Sequence, residues 1–194
     1  MSNEYRKDGE YYLNQALNSA FRYLGKRKAE EYFNDTVHYQ RKYGFAMGTG
    51  PHATWNNEAD AFKHAFMEAD VARIYGNNIA NKVGKRHEID GNMNSQQPRG
   101  EENMDKWNNR VGRQITAEIK QKYPDLSSTF SNKNWKDTIA GAVNKKLRAG
   151  ELITNPTDKR KFVETGYAAP ISNNQNTQNG HWITKNGNHV FIEE

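Results

Sequence analysis

Apolar residues recur along most of this chain at the three- and four-residue spacing of amphipathic helices. This pattern predicts six helices, over residues 10–24, 26–43, 58–75, 77–88, 103–123 and 132–148. Residues that stop a helix follow four of these segments: Gly25, Gly76, Pro124 and Gly150. The pattern therefore predicts a mostly α fold, an irregular bundle of five to six helices.

The pattern changes near the C-terminus, where two β-rich runs flank Asn186-Gly187. This dipeptide favours a two-residue hairpin turn, and its register places Trp182 opposite Phe191. We therefore expect a small C-terminal β-hairpin. A two-stranded hairpin is marginal in water, so it should pack on its own domain, a second subunit or a protein partner.

These patterns divide the chain into three parts. A helical domain spans residues 1–160, with a core motif region at 58–113. A polar, low-complexity linker follows at 161–180, and the hairpin tail occupies 181–194.

The third predicted helix carries a polar stripe. Asp60, His64 and Glu68 are each four residues apart, on the face opposite Phe62 and Phe66. A histidine four residues from a carboxylate supplies two metal ligands, or a base and its orienting partner. A solvated face with ordinary ion pairs remains the alternative.

The fifth predicted helix places Asn108 inside an apolar stripe that includes Met104 and Val111. A buried amide costs free energy unless it is hydrogen-bonded, so we expect polar partners from the third helix. Gly112, a poor helix former, suggests a close backbone approach at this point. The alternative to a functional Asn108 is a structural residue that ties two helices together.

Candidate site residues follow from these positions. The candidate metal ligands are His64, His87 and Asp105, with Glu68 or Glu88 as the general base. The cofactor would be a divalent cation such as Zn²⁺. In a metal-free variant, His64 acts as acid or base and Glu68 orients it. The candidate catalytic residues are the proton-transferring and amide side chains of this region: His64, Glu68, Glu88, Asn108 and Asn109.

Composition adds limits on partners and location. The net charge of +5 permits an anionic substrate or a nucleic acid without requiring either, and the absence of cysteine excludes thiolate chemistry. No apolar run reaches the roughly 18 residues of a membrane span, and no secretory signal follows Met1. We expect synthesis in the cytoplasm, with virion association or signal-independent export as open routes.

Four segments resemble a known helical domain: Glu-Ala-Asp-Ala-Phe-Lys-His-Ala-Phe (58–66), Arg-Ile-Tyr-Gly (73–76), His-Glu (87–88) and Met-Asp-x-x-Asn-Asn-x-Val-Gly-Arg (104–113). That domain recurs in phage-borne proteins and at the C-termini of bacterial polymorphic-toxin and secreted proteins. The resemblance implies a small α-helical unit in a phage or interbacterial setting. Its matching positions are His64, His87, Glu88, Asp105, Asn108, Asn109 and Gly112. The tail resembles hairpins that follow polar linkers in phage virion and mobile-element proteins, which implies a docking element.

Two functional hypotheses follow. The first is a small hydrolase or toxin-like domain, linked to phage or to conflict between bacteria, that uses the His/carboxylate cluster. The second is a non-enzymatic phage virion or assembly component, whose polar cluster is structural and whose hairpin docks to a partner. Nucleic-acid binding rests on charge alone and ranks third. Geometry separates the first two, because a tight cluster that lines a pocket favours an enzyme.

Overall fold

The computed structural model describes residues 9–95, 97–123, 132–163, 180–185 and 188–193, and the side chains of residues 11–25, 28–87, 97–123 and 134–163. Six α-helices follow one another along the described chain: α1 (Gly9–Tyr23), α2 (Lys26–Tyr43), α3 (Glu58–Tyr75), α4 (Asn77–Ser95), α5 (Arg99–Lys122) and α6 (Asn132–Arg148). A short 3-10 turn, Gly50–His52, lies between α2 and α3.

The expected fold class, mostly α with a small β-hairpin, is corrected to an all-helical domain. Among the described residues from 9 to 163 there is no strand, and the hydrophobic core comes from helices and the segments that join or follow them. Amphipathic helices already supply apolar faces for each other, so the core needs no sheet. Two strands, β1 (Gly180–Lys185) and β2 (Asn188–Glu193), form a separate antiparallel pair. The side chains of these strands lie outside the described set, and the prediction that the tail packs on the domain or on a partner therefore lies outside it as well.

Helix boundaries agree closely with the sequence pattern except around α4 and α5. The bounds of α2, α3 and α6 are those predicted. The predicted gap between the helices at 77–88 and 103–123 is too long, because α4 continues to Ser95 and α5 begins at Arg99. Gly91 therefore lies within a helix, since intrinsic propensity is a weak constraint that tertiary context overrides.

Helix α3 is the central element of the bundle and packs against each of the other five helices. Twelve of its 18 residues are buried. Its aromatic face stacks Phe62 on Phe45, with ring centroids 4.6 Å apart, and Phe66 lies next along the helix. Because neighbours surround α3, four of its polar residues are buried as well and need partners: Asp60, His64, Glu68 and Asp70.

Helices α3 and α5 lie side by side and run in the same direction. A Cβ atom at Gly112 would overlap the carbonyl oxygen of Ala65, so the close approach expected there is confirmed. Further along, the Thr116 hydroxyl donates to the carbonyl of Ala69 over 2.7 Å. This pairing places the polar stripe of α3 against α5.

None of the helices in the described part of the chain combines the length and the apolar character needed to cross a membrane.

Candidate metal centre

Three buried side chains converge where α3 meets the start of α5. His64 Nε2 lies 3.6 Å from Asp60 Oδ1 and 3.3 Å from Asp105 Oδ1. One ligand atom from each of the three residues lies within 4.8 Å of the others. Ligands about 2.1 Å from a tetrahedral ion are about 3.4 Å apart, so these separations suit a metal site. We call these three residues the Asp-His-Asp cluster.

The second oxygen of each carboxylate is held by a donor outside the cluster. The backbone N–H of Asn56 donates to Asp60 Oδ2 over 2.8 Å, and the Gln97 amide donates to Asp105 Oδ2 over 2.6 Å. Such contacts fix the orientation of metal ligands in proteins. Here they leave both Oδ1 atoms facing His64 Nε2.

The start of α3 explains why Asp60 is held in place. Asn57 caps the helix, since its side-chain oxygen accepts from the backbone N–H of Asp60 over 3.0 Å. Asn56 adopts a left-handed backbone conformation with φ of 55°, which asparagine tolerates better than most residues. Asp60 also lies in the first turn of α3, where the helix dipole favours a negative charge.

Burial and charge act together on the cluster. Burial raises the pKa of the Asp105 carboxyl, the neighbouring His64 lowers it, and the carboxylate of Asp60 raises it further. Lys63 offsets part of the negative charge, with its Nζ 2.8 Å from Asp60 Oδ1. His64 Nδ1 is buried and has no hydrogen-bond partner in the structure.

An open pocket of about 330 Å³ gives access to the cluster. Its floor is the cluster itself, and the loop before α3 provides much of its wall. The other lining residues are Pro51, His52, Thr54, Trp55 and Lys63. Proteins bind small molecules in pockets of about 300 Å³ and above, so the space suits a ligand of modest size.

Glu68, the third member of the predicted stripe, lies apart from the cluster. It is fully buried and forms an ion pair with Arg113 of α5. Burial raises the pKa of the Glu68 carboxyl to about 7, although the Arg113 guanidinium lowers it. Gly84 of α4 approaches closely, because a Cβ there would lie 3.2 Å from both Glu68 oxygens. Glu68 therefore joins three helices and does not line the pocket.

The two asparagines of α5 are both buried, in different surroundings. The Asn108 side chain forms two hydrogen bonds with the backbone of Ile153. Its Nδ2 donates to the Ile153 carbonyl over 2.8 Å, and its Oδ1 accepts from the Ile153 N–H over 3.0 Å. The expectation that α3 would supply its partners is wrong, because Ile153 follows α6. Asn109 lies near Glu68 and Gly84, and its Oδ1 has no partner in the structure.

His87 is exposed on α4, and its ring centroid lies 6.4 Å from that of His64. It borders the cluster, and the three residues whose ligand atoms converge include Asp60 and not His87. The side chain of Glu88, the alternative general base, lies outside the described residues.

Sequence reasoning missed several contributors to this site. Asp60 was visible as part of the stripe but was not chosen as a ligand; its position four residues before His64 was the available signal. Gln97 lies between the two helices predicted at 77–88 and 103–123, where no periodic pattern marked it. His52 and Trp55 carried no periodic signal, since only the folded loop brings them to the pocket.

A family model described as "Domain of unknown function (DUF6973)" matches residues 28–147 of the chain. The matched range contains α3, α4 and α5 and every residue of the cluster. No solved structure matches the chain.

Proposed function

We propose that this chain, which belongs to the DUF6973 family, is a small hydrolase that holds a divalent cation at Asp60, His64 and Asp105. The observation that carries the proposal is the convergence of the three ligand atoms at the floor of an open pocket. Three protein ligands with one open side are typical of catalytic metal sites, whereas structural sites are closed.

The donor set favours a cation over a purely structural contact. Two carboxylates that share one buried position repel each other, and a positive ion between them removes this cost. One imidazole and two carboxylate oxygens suit Zn²⁺ or Mn²⁺. A bound divalent ion would supply Lewis acidity toward a phosphoryl or acyl oxygen of the substrate.

Other residues of the chain have roles in this proposal. Gln97 and the Asn56 backbone hold the ligand carboxylates in position. In this proposal His87, whose ring centroid lies 6.4 Å from that of His64, accepts a proton from an attacking water or donates one to a leaving group. Lys63 keeps a positive charge beside Asp60 at the pocket.

The biological setting belongs to the same proposal. The resemblance to phage-borne and polymorphic-toxin domains supports a role in phage biology or in conflict between bacteria. Expression of the wild type and of His64→Ala in bacterial cells tests this setting. We expect the wild type to slow growth and His64→Ala to be harmless; equal growth of both would contradict a toxic role.

The alternative is a non-enzymatic virion or assembly component whose polar residues are structural. Two observations favour it. Glu68 forms a buried ion pair with Arg113, and the Asn108 side chain forms two hydrogen bonds with the backbone of Ile153. Neither involves the pocket, so both are compatible with an enzyme as well.

A hydrolysis assay separates the two functions. The probe is bis(p-nitrophenyl) phosphate, with metal-free protein supplied with Zn²⁺ or Mn²⁺. We expect activity that needs the cation and falls about 100-fold or more in Asp105→Asn and His64→Ala. Gln97→Ala, which frees one ligand carboxylate, should cost about 10- to 100-fold.

Matched controls come from residues of the same type outside the pocket. His38→Ala removes an exposed histidine of α2, and Asp35→Asn removes a surface partner of Lys136. Both should keep wild-type activity, since surface ion pairs contribute little. Folded cluster variants with wild-type activity, or no cation-dependent turnover in any form, would favour the structural alternative.

A further inference from the structure

Trp55 lines the pocket, and about half of its surface is exposed to solvent. Its side chain is 52% exposed, although large aromatic residues are normally well buried. Phe45, in the same segment between α2 and α3, is in contrast buried, with 1% exposure. Trp55 therefore presents an apolar face to the solvent beside the Asp-His-Asp cluster.

Neighbouring groups hold this ring in a fixed position. The indole Nε1 donates to Glu101 of α5 over 3.4 Å, and the His52 ring packs 4.6 Å from the Trp55 ring, centroid to centroid. The Trp55 backbone N–H donates to the carbonyl of His52 over 3.1 Å. An exposed aromatic ring that is already ordered binds a planar group at little cost in conformational entropy.

The loop around Trp55 is also fixed at several points. The backbone N–H of Gly48 donates to the Ala53 carbonyl over 2.8 Å, and the Asn57 side chain donates to the same carbonyl over 2.9 Å. Lys63 Nζ lies 3.3 Å from the Thr54 carbonyl. The aromatic wall and the cluster thus form one preorganised surface.

Charge then selects among ligands that contain a ring. With a divalent cation bound, the two carboxylates, the Lys63 ammonium and the ion sum to one positive charge at the pocket floor. An anionic group is favoured there, and a planar ring is favoured on Trp55. A neutral sugar also stacks on tryptophan, but it has no charge to match the floor.

We propose that the pocket binds a nucleotide unit, with its base on Trp55 and its phosphate at the cation of the Asp-His-Asp cluster. This inference rests on the proposed function, because the cation makes the floor attractive to phosphate. The unit belongs either to a free nucleotide or to a single strand of nucleic acid, where bases stack on exposed aromatic residues.

Binding assays without turnover test the base contact directly. The probes are AMP, adenosine, a ten-residue oligodeoxythymidylate and an N-acetylglucosamine tetramer, each titrated into the full chain by calorimetry with Mn²⁺ or with a chelator. We expect AMP or the oligonucleotide to bind only with Mn²⁺, and more tightly than adenosine. Binding of AMP alone identifies a free nucleotide as the source, and tighter binding of the oligonucleotide identifies a strand.

Variants of Trp55 separate stacking from the metal contact. Trp55→Leu should weaken binding about 5- to 100-fold, the range expected for loss of one base–aromatic stack. Trp55→Phe keeps a ring and should retain most of the affinity. Tyr12→Leu, at a ring 62% exposed on α1, is the matched control and should bind as the wild type does.

Some outcomes overturn the inference and leave the metal site standing. If the protein binds Mn²⁺ but Trp55→Leu binds both phosphate-bearing probes as the wild type does, the base does not lie on Trp55. Binding of the sugar tetramer in preference to the nucleotides would replace a nucleotide with a glycan. If no Mn²⁺ binds at all, the proposed function fails as well, which distinguishes the two failures.

Discussion

At the residue scale, three side chains of one helical stripe have different surroundings. Asp60 and His64 face Asp105 at the pocket, while Glu68, one turn further along α3, faces Arg113. Their partners on α5 make this difference, because α3 and α5 run side by side. Helical phase therefore predicts that these residues share a face, and the neighbouring helix decides what each of them does.

Asn108, predicted as a candidate catalytic residue, makes two buried hydrogen bonds away from the pocket. Asn108→Ala should lower the free energy of unfolding by about 2 to 4 kcal/mol, because it leaves the buried Ile153 N–H and C=O without partners. Urea unfolding followed by circular dichroism measures this change.

The matched control for Asn108 is Asn134→Ala, at an exposed position of α6. It should change the free energy of unfolding by less than about 0.5 kcal/mol. Equal free energies of unfolding for Asn108→Ala and the wild type would show that the hydrogen bonds to Ile153 do not stabilise the segment after α6.

The sequence could predict that Asn108 is buried but not which element satisfies it. Periodicity fixes the face of a helix on which a residue lies. The partner is a backbone segment after α6, and no spacing within α5 refers to it. His52 and Trp55 were beyond prediction for a related reason, since a loop has no repeating pattern that shows which way its side chains point.

At the scale of elements, α1, α2 and α3 meet at one buried carboxylate. Tyr23 of α1 and Tyr32 of α2 each donate a hydrogen bond to Asp70 Oδ2, over 2.8 and 2.9 Å. Arg73 binds the other oxygen of Asp70 through two nitrogens. Asp70 thus satisfies both tyrosines and joins the two N-terminal helices to the central one.

This junction predicts a loss of stability in alkali. Burial, followed by the charge of Asp70, raises the pKa of Tyr32 well above the ordinary value of about 10 for a tyrosine. The unfolded chain releases the Tyr32 proton near pH 10 while the folded chain keeps it, so the stabilisation is complete below about pH 10 and is lost as pH rises further. Tyr32→Phe removes this titrating hydroxyl and should flatten the decline.

Urea unfolding at intervals from about pH 8 to pH 11 measures the decline. Tyr12→Phe changes an exposed ring on α1 and should follow the wild-type curve. A wild-type curve that stays flat over this range, or a Tyr32→Phe curve as steep as the wild type, would contradict the prediction.

Element boundaries were predictable where apolar periodicity and end signals agreed. The bounds of α2, α3 and α6 match because their apolar stripes are continuous and their ends are marked. The end of α4 was not predictable, because Gly91 and a polar composition resemble a loop. The pairing of the C-terminal strands follows the register that the Asn186-Gly187 dipeptide predicted, with Trp182 opposite Phe191.

At the scale of the whole molecule, the central position of α3 determines where its polar residues reach solvent. A helix that packs against five others buries several of its polar residues, and the end that carries Asp60 and His64 opens to a pocket. The loop before α3 and the start of α5 complete that pocket. The family match over residues 28–147 contains this arrangement, so other members provide a further place to look for the cluster.

The central claim is that the Asp-His-Asp cluster binds a divalent cation. Titration of Zn²⁺ or Mn²⁺ into metal-free protein by isothermal calorimetry tests it most directly, with Asp105→Asn and His64→Ala beside His38→Ala. We expect one ion for each wild-type and His38→Ala chain, and binding at least about 100-fold weaker in both cluster variants. Absence of binding by the wild type, or equal binding by the folded cluster variants, would contradict the claim.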